Sequence, residues 1–568
     1  MANRRYTGFA LPSIMIASVV MLIMLVTAVS AVATTRAALN DQFYNTLARQ
    51  AAESGLEYAE SCLDLNGSTV TWSDSTPLGP NTDCNGTVQV SCPTTVRNTR
   101  CGVIDSPTMR TTFRVGNAVE DAYSRTFAAS GKVELLRKSN GAPWKSVEYT
   151  GREITAQTQD VEKARASQRF WYFGDGAGLD FGVSGATTTP VTASCGSSCV
   201  ADEGSTVATD RNGNLLFWTN GLSIWNRNGT TMSGSTGLNA SNSTTQAAAF
   251  FPLNKNLTKY VVVTNNAEDF YGNEGTLYYS VIDMTLDSGR GGVVSSQKNL
   301  PLWGTTTKYT SEALAAAPKA DGSGFWVVTF RPGTTNLLVF EFNHLGLVGS
   351  SPREFSSGTS ISKQTTERIG YATLNFNEDY TKLVLMAGDH CTGSSACSTR
   401  TGLLRLIDFN AKTGTPTNRF VWSAGTSQMD SAKVNAGYAA DFSPSGDYIY
   451  SATIYPGRVY RYKIAGMATS TAIKASEEFI GSSIDLGGRG GGQVLSGPDG
   501  RMYVANQGYG YISVINNPDA ATTSSMTLAQ RQAAVGYIYN GITLRPGTLS
   551  RWGLPQMVTT HTPKTITF

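Results

Sequence analysis

The hydrophobic pattern divides the chain into three stretches before any single residue is weighed. Residues 10–33 form an almost unbroken apolar run, ALPSIMIASVVMLIMLVTAVSAVA, behind Phe9 and the leader MANRRYTG (1–8). From Thr34 to Leu63 the pattern becomes amphipathic: Leu39, Phe43, Leu47 and Ala51 recur every four residues, and Leu56, Ala59 and Leu63 extend that side. A spacing of four predicts a helix. The stretch holds no Pro and a single Gly, Gly55, so the apolar and amphipathic parts read as one continuous helix. At 1.5 Å per residue, Ser13 to Leu63 would be a rod of roughly 75 Å. Beyond Leu63 the pattern shifts to short alternating runs between turn residues. TVTW (69–72), GTVQVSC (86–92), RTTFRVG (110–116), RTFAASGKVEL (125–135) and KSVEYTGREI (145–154) predict strands of a small antiparallel sheet. The polar stretch 155–168 reads as a linker.

The third stretch, Arg169 to about Val558, repeats a unit: an apolar strand, a turn rich in Asp, Asn, Ser and Gly, a second strand, a Gly, and a third strand. Clear copies are VATDRNGNLLFWTNGLSIWN (207–226), AAFFPLNKNLTKYVVVTNN (248–266), YATLNFNEDYTKLVLMAG (371–388) and YAADFSPSGDYIYSATIYPGRVYRYKI (438–464). Equivalent turns recur roughly every 42 to 67 residues, a spacing suited to four-stranded propeller blades. Six copies are complete. RFWYFGDGAGLDFG (169–182) together with SRWGLPQMV (550–558) supplies a seventh, which would close the ring and hide its open edges. The expected fold is therefore mainly β: a long N-terminal transmembrane and stem helix, a small sheet, and a seven-bladed β-propeller followed by a tail at 559–568.

Composition narrows the class. Of 568 residues only 15% are charged, the formal net charge is +3, and 58 are Gly. That suits an extracellular β protein and not a nucleic-acid binder, which concentrates Lys and Arg on one face. His344, His390 and His561 are the only histidines and are scattered, so no metal ligand and no cofactor is assigned. The eight cysteines are Cys62, Cys84, Cys92 and Cys101, then Cys195 with Cys199, then Cys391 with Cys397. They lack CxxC spacing and a nearby His, which favours structural disulfides in an oxidising compartment. The first four allow three connectivities. The turn D-x-N-G-N at Asp210 is similar to a calcium loop but lacks the closing Glu.

The leader allows a cleaved signal after Ala31-Val32-Ala33. However, the apolar run of about 24 residues exceeds the roughly 7–15 of a signal peptide and can span a bilayer. Arg4, Arg5 and Gly8, followed by Phe9 and the long apolar helix, resemble the class III signal of type IV pilins. LARQAAESGLEYAESCL (47–63) further resembles the stem of PilX/GspK-like minor pilins. This resemblance implies prepilin peptidase cleavage between Gly8 and Phe9, N-methylation of Phe9, membrane residence through residues 10–33, and assembly with other pilin subunits by the pilus machinery. It also makes the small sheet of residues 64–154 a pilin-like head. Ser13 stands where major pilins carry a Glu that meets the neighbouring subunit's amine. An intramembrane carboxylate costs on the order of 2.5–3.5 kcal/mol, so its absence removes that contact and points to a capping, tip position.

The propeller ends, WYFGDGAGLDF and SRWGLPQM, resemble the propeller of large secreted Bacteroidetes proteins associated with gliding motility and type IX secretion. No GxSxG, Walker loop, HExxH or Cys/His pair occurs, so no catalytic residue is assigned and the chain is expected not to be an enzyme. Glu312, Asp389 and Glu367 are candidates to line a central funnel, with nothing in the sequence to pair them. Trp218, Trp225, Tyr455, Tyr460 and Tyr509 could form a glycan platform, although strand aromatics more often pack between blades. The resulting expectation is a tip-located minor pilin whose propeller is an adhesin binding a surface, a host-cell protein or a glycan. The alternatives are a type II secretion pseudopilin and an unassembled, membrane-anchored propeller enzyme or sensor.

Overall fold

A computed structural model of the chain describes residues 10–65, 70–89, 102–120, 125–149, 153–156, 168–182, 188–196, 199–210, 213–254, 257–267, 275–304, 310–320, 322–331, 336–356, 368–390, 402–424, 437–454, 457–482, 490–523, 525–556 and 558. It divides into two compact units, one made mainly of Met1–Glu120 and Arg125–Ala156, the other mainly of Gln157–Thr565.

The first unit is built on a single 56-residue helix, Ala10–Leu65. Its segment Met15–Val32 is long and apolar enough to cross a membrane, and none of it is buried. Packing begins at Leu47: Leu47, Ala48, Ala51, Ala52, Leu56 and Ala59 are buried, whereas Leu39 and Phe43 on the same predicted face stay exposed. The buried face lies on an antiparallel sheet ordered Ile104–Ser106, Met109–Glu120, Arg125–Leu136, Pro143–Tyr149, with Glu153–Ala156 also paired to Arg125–Leu136. Close approach needs small residues. A Cβ on Gly131 would lie 1.8 Å from the Ala48 carbonyl oxygen, so only glycine fits where this strand crosses the helix.

Residues 70–72 and 86–87, expected to be in strands, are irregular. The Trp72 indole N–H donates to the Gly116 carbonyl at 3.1 Å, and Cys84 is bonded to Cys62 at the helix end, so tertiary ties override the local β pattern.

The second unit contains seven antiparallel sheets among the described residues. Their first strands by sequence are Phe170–Asp175, Thr206–Thr209, Ala248–Pro252, Ala315–Pro318, Arg368–Phe376, Gly437–Phe442 and Gly491–Ser496. Every neighbouring pair of sheets shares an apolar cluster. Phe251, Phe325 and Phe342 join the third and fourth sheets. Trp171, Phe173 and Phe181 of the first meet Tyr503, Ile512 and Val514 of the last. Sheets that pack face to face in sequence order, with the last against the first, form the ring of a β-propeller. Closure is made by residues 549–556. The Asp175 N–H donates to the Leu549 carbonyl at 2.8 Å, the Gln493 N–H to the Trp552 carbonyl at 2.7 Å, and the Gln556 N–H to the Ser205 carbonyl at 2.8 Å.

The repeat has a local cause. In Asn254-Lys-Asn-Leu-Thr-Lys259 and Asn377-Glu-Asp-Tyr-Thr-Lys382, the Asn Oδ1 accepts from the N–H groups of the Thr and the Lys, and its amide donates to the Thr hydroxyl. Both turns place a non-glycine residue at positive φ, Leu257 at 55° and Tyr380 at 55°. Such strain is tolerated because the Asn side chain fixes the rest of the turn.

Candidate functional site

Six of the sheets present their first strand to the axis, and residues 549–556 take that place for the other. Side chains that point inward from these strands would face water in an open channel. Here three glutamines bridge the inner strands of different blades. Gln246 donates to the Leu374 carbonyl and to Asn375 Oδ1, each at 3.2 Å, while its Oε1 accepts the N–H groups of Leu314 (2.8 Å) and Leu374 (2.9 Å). Gln493 donates to the Thr245 carbonyl at 2.6 Å and accepts from the Leu554 N–H at 2.9 Å. The Gln556 amide donates to the Leu314 carbonyl. Inner-edge backbone groups that have no strand partner are thereby satisfied across the ring.

A pair of buried carboxyls lies at the N-terminal ends of the inner strands. Glu203 is 6% exposed and Glu312 is 1% exposed. The Thr245 N–H and hydroxyl both donate to Glu312 Oε2, the N–H at 3.0 Å, and the Ser243 hydroxyl approaches Glu203 Oε1 at 3.4 Å. Burial raises the Glu203 carboxyl well above the usual range and the charge of Glu312 raises it further. Hydrogen bonds with Tyr438 and Thr245 act in the opposite sense. Glu312 thus does have an acidic neighbour, contrary to the expectation from sequence. Side-chain positions at Asp389, and all of Glu367, lie outside the described residues.

At the C-terminal ends of the inner strands the channel opens into a cavity of about 200 Å³, lined among others by Asn375, Tyr380, Asp441, Phe442, Ser496 and Gln556. Asp441 Oδ1 accepts the Phe442 N–H at 2.9 Å and Oδ2 the Ser496 N–H at 2.7 Å. Burial nevertheless pushes its carboxyl up to about 7, the two N–H donors offsetting only part of the desolvation. A small pocket with an acid poised near neutrality and several hydrogen-bonding groups is suited to a polar ligand rather than to a flat apolar surface.

Most residues singled out by sequence reasoning lie elsewhere. Cys62–Cys84 and Cys195–Cys199 are bonded, with Cα separations of 5.1 and 6.0 Å. Gly8, Phe9, Cys92, Cys101, Cys391, Cys397 and Tyr455 lie outside the described residues. Ser13 falls within the helix, and its side chain is likewise outside them. Trp218 is buried and stacks on Trp225 at 4.3 Å, and Tyr460 is also buried, so these aromatics pack the blades. The Asp210 carboxylate closes its own turn by accepting from the Asn214 N–H and side-chain amide at 2.8 and 2.9 Å. Among the described residues no three His, Cys, Asp or Glu side chains gather as a metal-binding group.

No protein-family model matches the chain, and no curated protein matches it. Propellers of known structure do. A candidate 6-phosphogluconolactonase from Bacteroides fragilis is 12% identical, covering 68% of this chain and 97% of that one, with a TM-score of 0.38. Its counterpart from Bacteroides uniformis is 16% identical, covering 58% and 79%, with a TM-score of 0.31. The Cps50 (Swd1) β-propeller domain of Myceliophteria thermophila is 10% identical, covering 70% and 98%, with a TM-score of 0.31. Likeness at this distance carries no substrate across. One expectation is corrected: two of the matched structures are described as 6-phosphogluconolactonases, so the absence of sequence motifs does not make this chain a non-enzyme. The buried Glu203 and Glu312 carboxyls, assembled from separate blades, are the kind of pair such motifs cannot reveal.

Proposed function

We propose that the chain is a minor, tip-located subunit of a type IV pilus-like filament, and that its propeller is a binding module carried to the filament end. The observation that carries this reading is the helix Ala10–Leu65. Its segment Met15–Val32 is apolar and bare, and its last third, from Leu47, is packed against one small sheet and tied by Cys62–Cys84. A helix that docks only its last third needs apolar surroundings for its undocked apolar segment: a bilayer first, a filament core later. A propeller on every subunit of a shaft would obstruct packing, so the bulk of the second unit and Ser13 both support an end position. The propeller's binding chemistry is assigned to its axial ends, where the Asp441 cavity would seat a small polar group of a surface, host-cell protein or glycan.

The test is immunogold labelling of sheared filaments with antibody to the propeller. Gold at filament ends supports the reading. Gold confined to the cell envelope contradicts it, and gold along short filaments that depend on a secretion system would assign the chain to a pseudopilus.

A further inference from the structure

The strand Arg125–Leu136 crosses the helix with Gly131 against Ala48, and its residues Val133 and Leu135 then pack on Leu47. The strand therefore advances toward the helix's apolar half, and the hairpin that follows, Arg137–Ala142, lies at that end of the sheet. The Lys145 ammonium pairs with Asp41 at 2.7 Å, which fixes the hairpin's second strand to the helix just before Phe43. Between them opens a concavity of about 730 Å³ lined among others by Phe43, Tyr44, Met109, Leu136, Arg137 and Trp144.

This end of the unit has an unusual surface. Trp144 is 57% exposed, Phe43 55% and Leu39 59%, although each is large and apolar. Arg137 and Lys138 project beside them, both exposed. An exposed tryptophan among apolar side chains, with two cations beside it, is a composition suited to a membrane–water interface, where such rings sit among headgroups and cations meet phosphates. The position along the helix agrees. Phe43 is eleven residues beyond Val32, about 16 Å of helix. Its side chain leans back toward the helix N-terminus, and Arg and Lys stems reach further in the same way.

We propose that this end of the first unit is a second membrane contact, with Trp144 and Phe43 seated in the headgroup layer and Arg137 and Lys138 on the phosphates of an anionic bilayer. The proposal rests on reading residues 10–33 as a membrane span. A lipid surface is favoured over a neighbouring subunit because the patch is continuous, along one helix, with that span, and because the charged residues that line the concavity, Arg137 and Lys138, are basic. The contact would set how deeply the helix sits and would have to be released before a subunit leaves the membrane.

The experiment reconstitutes the full-length chain into phosphatidylcholine/phosphatidylglycerol vesicles whose acyl chains carry bromine near the headgroup. Retention after alkaline extraction reports the span separately from the contact. Bromine should remove up to about one-ninth of the emission, the share of one of nine tryptophans. That loss should vanish in Trp144→Phe. It should fall at least about twofold in Arg137→Glu/Lys138→Glu and in vesicles of phosphatidylcholine alone. A retained chain with no loss traceable to Trp144 overturns the contact while leaving the span intact. A photo-crosslinker at position 144 that captures a second copy in place of lipid also overturns it. A chain that washes out of the vesicles overturns the span, and the contact with it.

Discussion

Replacing Asp441 by Asn should invert its effect on stability across the pH range. Burial lifts this carboxyl from an ordinary 3.8 to about 7. That is a shift of roughly three units, or about 4 kcal/mol at 1.36 kcal/mol per unit. Below about pH 3 the group is protonated in both folded and unfolded chains and costs nothing by this route. As pH rises the unfolded chain ionises first, so stability falls by about 1.4 kcal/mol per unit until the folded-state value near 7 is passed. The variant loses that slope. It incurs a different, pH-independent cost: an amide oxygen can accept only one of the Phe442 and Ser496 N–H groups, and the amide's own donors face the other, for about 1–3 kcal/mol. Asp441→Asn should therefore be less stable than the wild type at pH 4 and draw level with it or pass it by pH 7. Urea unfolding of the full chain in detergent, followed by tryptophan emission, measures this. Seven of the nine tryptophans lie in the second unit, all but Trp72 and Trp144. Parallel pH profiles for the two proteins would refute the reasoning, because Asp441 would then ionise as it does in water.

Other outcomes follow from single contacts. Gly131→Val should destabilise the first unit by about 1–3 kcal/mol or more, since its Cβ would collide with the Ala48 backbone; limited proteolysis of the helix–sheet unit would detect it. Gln246→Ala should cost the propeller about 2–5 kcal/mol by leaving the Leu314 and Leu374 N–H groups buried without their acceptor, seen as a lower urea midpoint. Cys62→Ser/Cys84→Ser should lower the stability of the first unit by about 3 kcal/mol, the loop entropy of a 22-residue separation, as read from its melting under oxidising conditions.

What the sequence makes legible is what local rules control. The long helix follows from an uninterrupted pattern of apolar positions. The repeat follows from turns such as those at Asn254 and Asn377, where the side chain caps its own loop. The pairing of Glu203 with Glu312 is set by the geometry of the ring and leaves no trace in spacing. Gln246, Gln493 and Gln556 carry no signal of their role in the sequence, because their partners lie on other blades of the ring. The stretch TVTW looked like a strand because its residues favour strands, yet Trp72 is held by Gly116. Leu39 and Phe43 share the periodicity of Leu47 but not its burial, since periodicity identifies a face and not what covers it.

The central claim, that the opening helix is an assembly helix and not a cleaved signal, is tested most directly by mass spectrometry of the mature N-terminus from native membranes or filaments. The account predicts a chain beginning at an N-methylated Phe9. A chain beginning at Thr34 would contradict it.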